Sequence, residues 1–254
     1  RALVAEGKLE LNLIAQDVTQ YGYDLYGRFT LPRLLQELDA IEGLRWIRLL
    51  YFYPNRLTDE VIEAMAGLPK VLPYVDIPLQ HVHPDILRAM RRPWDGERYL
   101  RLFERVRAAM PEVAIRTTFI VGFPGEEERH FEHLLAFVRS AGLERVGSFP
   151  FSREPGTPAA ELPGQVPFRV RRERHDRLMR LQQSLATERG QRWVGRELDV
   201  LVESAAEGGS TGRTYRDAPE IDGTIQLDTQ ERPGSMVRAR VTAALVHDLA
   251  GVRA

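Results

Sequence analysis

Cysteine is absent from all 254 residues. That excludes a disulfide framework and leaves no thiolate to ligate an iron–sulfur cluster. Long apolar runs are missing too: nothing approaches the roughly 18–20 residues needed to cross a bilayer. The opening stretch RALVAEGKLELNL is broken by Glu6 and Lys8 and does not read as a signal peptide, so the expected compartment is the cytoplasm. An excess of one charge is also lacking, since the formal net charge is −1. The chain as a whole therefore exerts no general electrostatic pull toward nucleic acid. No initiator methionine stands at the start, and Arg1 leads straight into the end of a helix, so a piece of a longer chain is expected.

Hydrophobic residues at 43% and charged residues at 28% describe an ordinary globular chain with enough apolar side chains for a real core. Short runs rich in Val, Ile and aromatics alternate with longer segments of helical period. Strands are expected at 9–15, 46–51, 74–77, 114–121 and 145–149. Helices are expected at 31–41, 59–66, 84–91, 96–110 and 127–141, with Thr58 or Asp59 as a cap. This alternation implies right-handed crossovers and a parallel sheet, either doubly wound or a partial (β/α) barrel. A loop dense in Pro and Gly (SREPGTPAAELPGQVP) leads to a polar helix at 168–189, whose run RVRRERHDR reads as a solvated face. From Trp193 the texture changes to short alternating segments at 197–203, 212–216, 223–227 and 236–245. Gly208-Gly209, Asp222-Gly223 and Pro233-Gly234 mark turns between them, the rhythm of a small five-stranded β-barrel.

Both parallel architectures place their reactive groups past the C-terminal ends of the strands. Those positions hold Gln16, Asp17 and Thr19; Tyr51, Tyr53 and Pro54; Gln80, His81 and His83; the segment Gly122-Phe123-Pro124-Gly125-Glu126; and Ser152 with Arg153. Gly122 and Gly125 would let the backbone approach a ligand, and Glu126 to Glu128 suit the positive end of a helix; taken alone, a plain strand-to-helix turn with acidic first residues is the better reading of them. His81 and His83 have a spacing that two imidazoles on one metal can use, which keeps a metallohydrolase open; His130 and His133 are expected on a surface helix elsewhere.

Five ordered segments carry a resemblance: ELNLIAQDVTQYGYDLYG, YVDIPLQHVHPDILRAMRR, RTTFIVGFPGE, SREPGTPAAELPGQVP and YRDAPEIDG. Together they resemble the radical S-adenosylmethionine methylthiotransferases of the RimO type along nearly the whole chain. The tRNA-modifying sister enzymes share VGFPGE and PGTPAA, but a Ser-Gly pair normally follows the Gln of their third-strand motif, where this chain has His81-Val82. The resemblance implies α/β architecture: a partial (β/α) TIM-like radical SAM barrel over residues 1–190, including the linker helix 168–189, followed by a small all-β TRAM barrel over 191–254. It implies S-adenosyl-L-methionine and, in the family's full-length enzymes, two 4Fe-4S clusters, one on a Cys-x-x-x-Cys-x-x-Cys loop upstream of the strand that begins here at Leu9. This chain ligates neither, and no activity is expected of it alone.

The implied reaction adds a methylthio group to the β-carbon of an aspartate in a small-subunit ribosomal protein near the decoding centre, with a flavodoxin-like electron donor. Carried over by motif, Gln16 and Asp17 meet the methionine end of the cofactor and Gln80 approaches its ribose. Arg116 and Thr118 point toward it, and Ile120, Gly122, Phe123 and Pro124 belong to the segment that packs on adenine. Ser152, Arg153, Tyr215 and Arg216 are the expected substrate contacts. From Trp193 onward seven arginines stand against ten carboxylates, a balance that favours a basic protein partner over tRNA phosphates. A tRNA-modifying enzyme and a cluster-free module that binds a ribosomal partner stay open beside this reading.

Overall fold

A computed structural model describes residues 1–254 except Pro93. The chain begins α1 (Ala2–Ala5), β1 (Glu10–Leu13), α2 (Tyr23–Tyr26), α3 (Leu31–Asp39), β2 (Trp46–Leu49), α4 (Asp59–Gly67) and β3 (Tyr74–Asp76). It continues α5 (Pro84–Ala89), α6 (Gly96–Ala109), β4 (Ala114–Val121), α7 (Glu128–Ser140) and β5 (Arg145–Pro150). After the Pro/Gly-rich loop and α8 (Pro158–Glu161), the long α9 (Phe168–Gly190) runs back to a second domain. That domain comprises β6 (Glu197–Ala206), β7 (Gly209–Arg213), β8 (Ile225–Leu227), β9 (Met236–Ala244) and β10 (Leu249–Arg253).

The first five strands are parallel: β1 pairs with β2, and β3 with β4 with β5, while Ile47 bridges to Val71 just ahead of β3. Strand order follows chain order, which is the arc of an open (β/α) barrel. Alternation sorts the faces. On β4, Ile115, Thr117, Phe119 and Val121 are buried on one face, and Arg116, Thr118 and Ile120 are half-buried on the other. Ile115, Phe119 and Val121 join Leu31, Leu35, Val61, Met65, Phe103, Phe131 and Leu134 in the main core under the helices. Helix α6 shows why these segments are helical: Tyr99, Leu102, Phe103 and Val106 recur on one face and are buried, each contributing roughly 1.5–3 kcal/mol. Asp95 fixes its start by accepting the Arg98 amide at 2.9 Å.

The second domain is a closed barrel in the order β10-β8-β7-β6-β9, which leaves no open sheet edge. Its interior is Val200, Val202, Ile225, Leu227, Ala239, Val241 and Leu249. Strand β10 (Leu249–Arg253) completes it and has no counterpart among the sequence-expected segments. The expected strand 212–216 instead lies earlier, at Gly209–Arg213. The cause is a turn after it, where Thr214 Oγ1 donates to Asp217 and the Asp217 amide returns to the Thr214 carbonyl.

Residues 214–223 of this domain close the N-terminal end of the open barrel. Arg48, fully buried, donates to Glu10 at 2.8 Å and to the Tyr215 carbonyl at 2.8 Å, and Arg213 reaches the other Glu10 oxygen at 2.6 Å. Tyr74 Oη donates to Asp222 at 2.6 Å, and Arg116 bridges Asp222 at 3.3 Å and Asp76 at 2.8 Å. Burial first, and then the Asp222 charge, pushes the Tyr74 hydroxyl well above its ordinary range. Trp46, Leu50, Leu72, Tyr74, Ala114 and Ala218 form the apolar part of this floor.

The run at 169–177 differs from its expected solvated role. Arg174 is buried against Glu126, and Arg177 pairs with Glu128 and Glu132 of α7, so α9 is bound to the barrel by its arginines as well as its apolar residues.

Candidate active site

Two strand ends leave ordinary backbone space. Tyr51, just past β2, has φ 62°, and Gln80, past β3, has φ 68°. For side chains of this size the left-handed region is strained and persists only where neighbours hold it. Here they do. The Tyr51 amide donates to Asp76 Oδ2 at 3.2 Å, and its carbonyl accepts the Val18 amide at 3.1 Å. Gln80 donates to the Thr118 carbonyl at 2.9 Å and accepts the Ile120 amide at 2.8 Å.

Beside Gln80 opens a slot of about 370 Å³, lined by Met90, Arg92, Ile120, Phe123 and Phe151 among others. Phe123 and Phe151 meet edge to face at 5.2 Å, so one wall is aromatic and fixed. The slot is mostly apolar, with Gln80, Arg91 and Arg92 among its polar and charged lining, the composition of a site for a small molecule with an apolar ring and polar substituents. Of the residues expected at the cofactor, Gln80, Ile120 and Phe123 share this slot. Thr118 lies on the same face of β4, and Pro124 is buried just behind Phe123.

The others stand elsewhere, each for a visible reason. Gly122 does not open the backbone to a ligand: at φ 73°, a Cβ there would fall 2.2 Å from Arg171 Cγ, so the close approach is to α9. Its amide donates to Glu126 Oε2 at 2.9 Å, and Glu126 is buried and paired with Arg174 at 2.9 Å. The acidic residue after the glycines thus shapes the loop from within. Arg116 is held at the barrel floor by Asp76 and Asp222, away from the slot. Asp17 caps a 3-10 turn at Val18–Gln20 and pairs with Arg56 at 2.6 Å, so its carboxylate shapes the loop after β1, while Gln16 beside it is exposed.

Ser152 and Arg153 are exposed on the loop after β5, where Ser152 donates to Glu154 at 2.6 Å and Arg153 to the Ala160 carbonyl at 2.8 Å. Tyr215 and Arg216, expected at the substrate, lie at the opposite end of the barrel. Tyr215 Oη donates to the Glu112 carbonyl at 2.8 Å, and Arg216 is buried against Glu144 at 2.7 Å and stacked over Trp193. They join the domains. Sequence reasoning did not single out Phe151 or Met90, because isolated apolar residues in a loop and a helix carry no signal of a shared wall. The mouth of the barrel is further rimmed by Ile14, Tyr51 and Phe149, which are 64%, 43% and 64% exposed.

An open parallel barrel with an apolar slot at its strand ends, joined to a closed five-stranded barrel, defines the class. Residues 9–138 match the Radical SAM superfamily and residues 194–253 match the TRAM domain. The chain belongs to the radical SAM superfamily. Within it, the resemblance to the RimO branch extends over nearly the whole chain. It is 48% identical to ribosomal protein uS12 methylthiotransferase RimO of Desulforamulus reducens over 98% of its length, and 52% identical to that of Moorella thermoacetica over 95%. These alignments cover 57% and 55% of the two relatives, so the chain spans about half the length of the curated relatives it matches. TsrM, a radical S-adenosylmethionine methyltransferase from Kitasatospora setae, has the same fold at 16% identity, with a TM-score of 0.50 over 83% of this chain and 34% of its own.

Proposed function

We propose that this chain is the cofactor-positioning and TRAM portion of a methylthiotransferase that modifies ribosomal protein uS12. The observation that carries the reading is the Gln80–Ile120–Phe123–Phe151 slot at the strand ends of a chain so similar to RimO enzymes. S-adenosyl-L-methionine, when bound, supplies the radical chemistry that opens an unactivated C–H bond, and the methyl group. Gln80 presents its carboxamide to the sugar, Phe123 and Ile120 pack the base, and Phe151 keeps water from that wall. The strained Gln80 backbone, fixed through both its amide and its carbonyl by β4, holds the carboxamide at one height. Thr118 lies one layer below, and Pro124 with Gly122 fixes the approach of Phe123. Gln16 and Asp17 mark the end of β1, two strands away, where the methionine portion would lie.

No residue of this chain fits an iron–sulfur cluster, since none is a cysteine. We therefore assign no reaction step to the chain alone, and expect it to be inactive by itself. In the whole protein the target would be an aspartate β-carbon of uS12 near the decoding centre, two 4Fe-4S clusters would be housed upstream, and a flavodoxin-like protein would supply electrons. Ser152 and Arg153, with Tyr51 and Phe149 at the mouth, are the side chains placed to meet the protein substrate. We take residues 1–190 and 191–254 as the two functional units, acting in the cytoplasm; among the described residues no helix is long and apolar enough to cross a membrane.

The charge arrangement favours a protein over the tRNA of the sister enzymes. Six of the seven TRAM arginines, Arg196, Arg213, Arg216, Arg238, Arg240 and Arg253, have a carboxylate partner among the described residues, which offsets the charge they would offer a phosphate backbone. Calorimetric titration with S-adenosylhomocysteine tests the slot. Gln80→Ala and Phe123→Ala should each weaken binding about tenfold, the loss of ~1.4 kcal/mol, and unchanged affinity in both removes the assignment. Binding of uS12 against tRNA over a salt series separates the two substrates.

A further inference from the structure

Beside the slot, but outside it, two helices bring together side chains that no part of the proposed function uses. His83 caps α5, Asp85 lies in the first turn of α5, and His130 lies in the first turn of α7. Asp85 Oδ2 is 3.7 Å from His83 Nδ1 and 3.9 Å from His130 Nε2. The His83 and His130 rings are 4.3 Å apart, and His133, one turn further along α7, stands edge-on to His83 at 5.3 Å. One ligand atom from each of His83, Asp85 and His130 lies within 4.8 Å of the others. His130 is 3% exposed, and its Nε2 is buried with no hydrogen-bond partner among the described residues. Contrary to the expectation of a surface helix elsewhere, His130 is buried and both His130 and His133 stand beside His83. The pairing of His81 with His83 also dissolves, because His81 is fully buried and turned toward Glu126 at 3.5 Å.

The separations are too long for hydrogen bonds. Two donors sharing one tetrahedral ion at bond lengths of about 2.0–2.2 Å stand roughly 3.3–3.6 Å apart, so the side chains need to close by a few tenths of an ångström to about 1 Å to hold it. We propose that His83, Asp85 and His130, with His133 as a fourth donor, form a transition-metal site of the zinc type. Imidazole and carboxylate donors suit Zn²⁺, Co²⁺ and Ni²⁺, and disfavour the all-oxygen chemistry of Mg²⁺ or Ca²⁺.

Occupation exchanges existing bonds. His130 Nδ1 now accepts the Glu127 amide at 2.9 Å, which leaves the ring proton on Nε2. When Nε2 takes the metal, that proton moves to Nδ1 and the cap is given up for the coordination bond. His83 Nδ1 similarly releases the Asp85 amide, now at 3.3 Å. The ion would clip the segment leaving β3 to the helix following β4, the two segments that carry Gln80 and Phe123 to the slot. The clip does not depend on the reading of the slot as a cofactor site.

Because the chain has no cysteine, a bound Co²⁺ can draw only on nitrogen and oxygen donors, and its visible spectrum reports them without thiolate interference. Co²⁺ titration of the full chain should give one equivalent of a four- or five-coordinate spectrum, with competition by Zn²⁺. Asp85→Asn and His130→Gln should each weaken binding at least tenfold, and His175→Gln and His247→Gln should leave it unchanged. Zn²⁺ should raise the Tm of the parent chain and of the two control variants, and leave the Tm of Asp85→Asn and His130→Gln unmoved. Comparing each variant with and without metal separates loss of the site from loss of the cap. Equal Co²⁺ affinity across all variants, a six-coordinate aqua spectrum, or a Zn²⁺-induced Tm rise that survives both substitutions overturns the site.

Discussion

Asp222 is a single carboxylate from the second domain that serves three donors at the floor of the first: Tyr74 Oη, Arg116 Nε and the Ala218 amide. Removing it leaves a half-buried guanidinium with one carboxylate in place of two and a buried phenol without its acceptor, and that costs more than the net worth of the bonds themselves. Asp222→Ala should therefore lower stability by ~3 kcal/mol in urea titration. A loss under ~0.5 kcal/mol would mean that water replaces the carboxylate there. The histidines set a pH dependence. His83, His130 and His247 are each held below the ordinary 6.5, by burial first. The unfolded chain then binds more protons than the folded one between those lowered values and 6.5, so stability is full above 6.5 and falls as pH drops through it. In metal-free buffer the urea midpoint should decline from pH 7 to pH 5, and His83→Ala with His130→Gln should flatten the slope; a slope unchanged in that double variant would place the effect elsewhere.

At the scale of elements, α6 separates local from tertiary contributions. Asp95→Ala removes only the cap bond to the Arg98 amide and should cost ~1 kcal/mol. Phe103→Ala empties a site that is 1% exposed and should cost about 3–5 kcal/mol by the same measurement. Comparable losses from the two would show that the helix is held by its ends and not by its face. The order of these elements was legible in the sequence, because alternation on β4 and the apolar repeats of α6 and α7 are imposed by burial of one face. The shared slot was legible only in part. Gln80, Ile120 and Phe123 follow from strand-end position and motif, whereas Phe151 and Met90 enter it through the path of a loop and the tilt of a short helix. Arg116, Gly122 and Arg216 carry the residue types a ligand site wants, yet their partners come from segments distant in the chain. Nothing in local pattern distinguishes an arginine that meets a ligand from one that meets Asp222.

For the molecule as a whole, the two barrels share one polar and apolar floor, so they should melt together. Calorimetry of the full chain is expected to show one transition, and residues 1–190 alone should be destabilised enough to aggregate or to bind a hydrophobic dye. Two separated transitions would show that the floor is an ordinary contact between independent domains. The pair between Glu10 and Arg213 joins positions 203 residues apart. A chain emerging from the ribosome therefore exposes Arg48, Tyr74 and Arg116 long before the segment that completes their surroundings has been made. The nascent barrel must wait, open at its base, until Arg213 to Asp222, more than 60 residues beyond the end of β5, have been made.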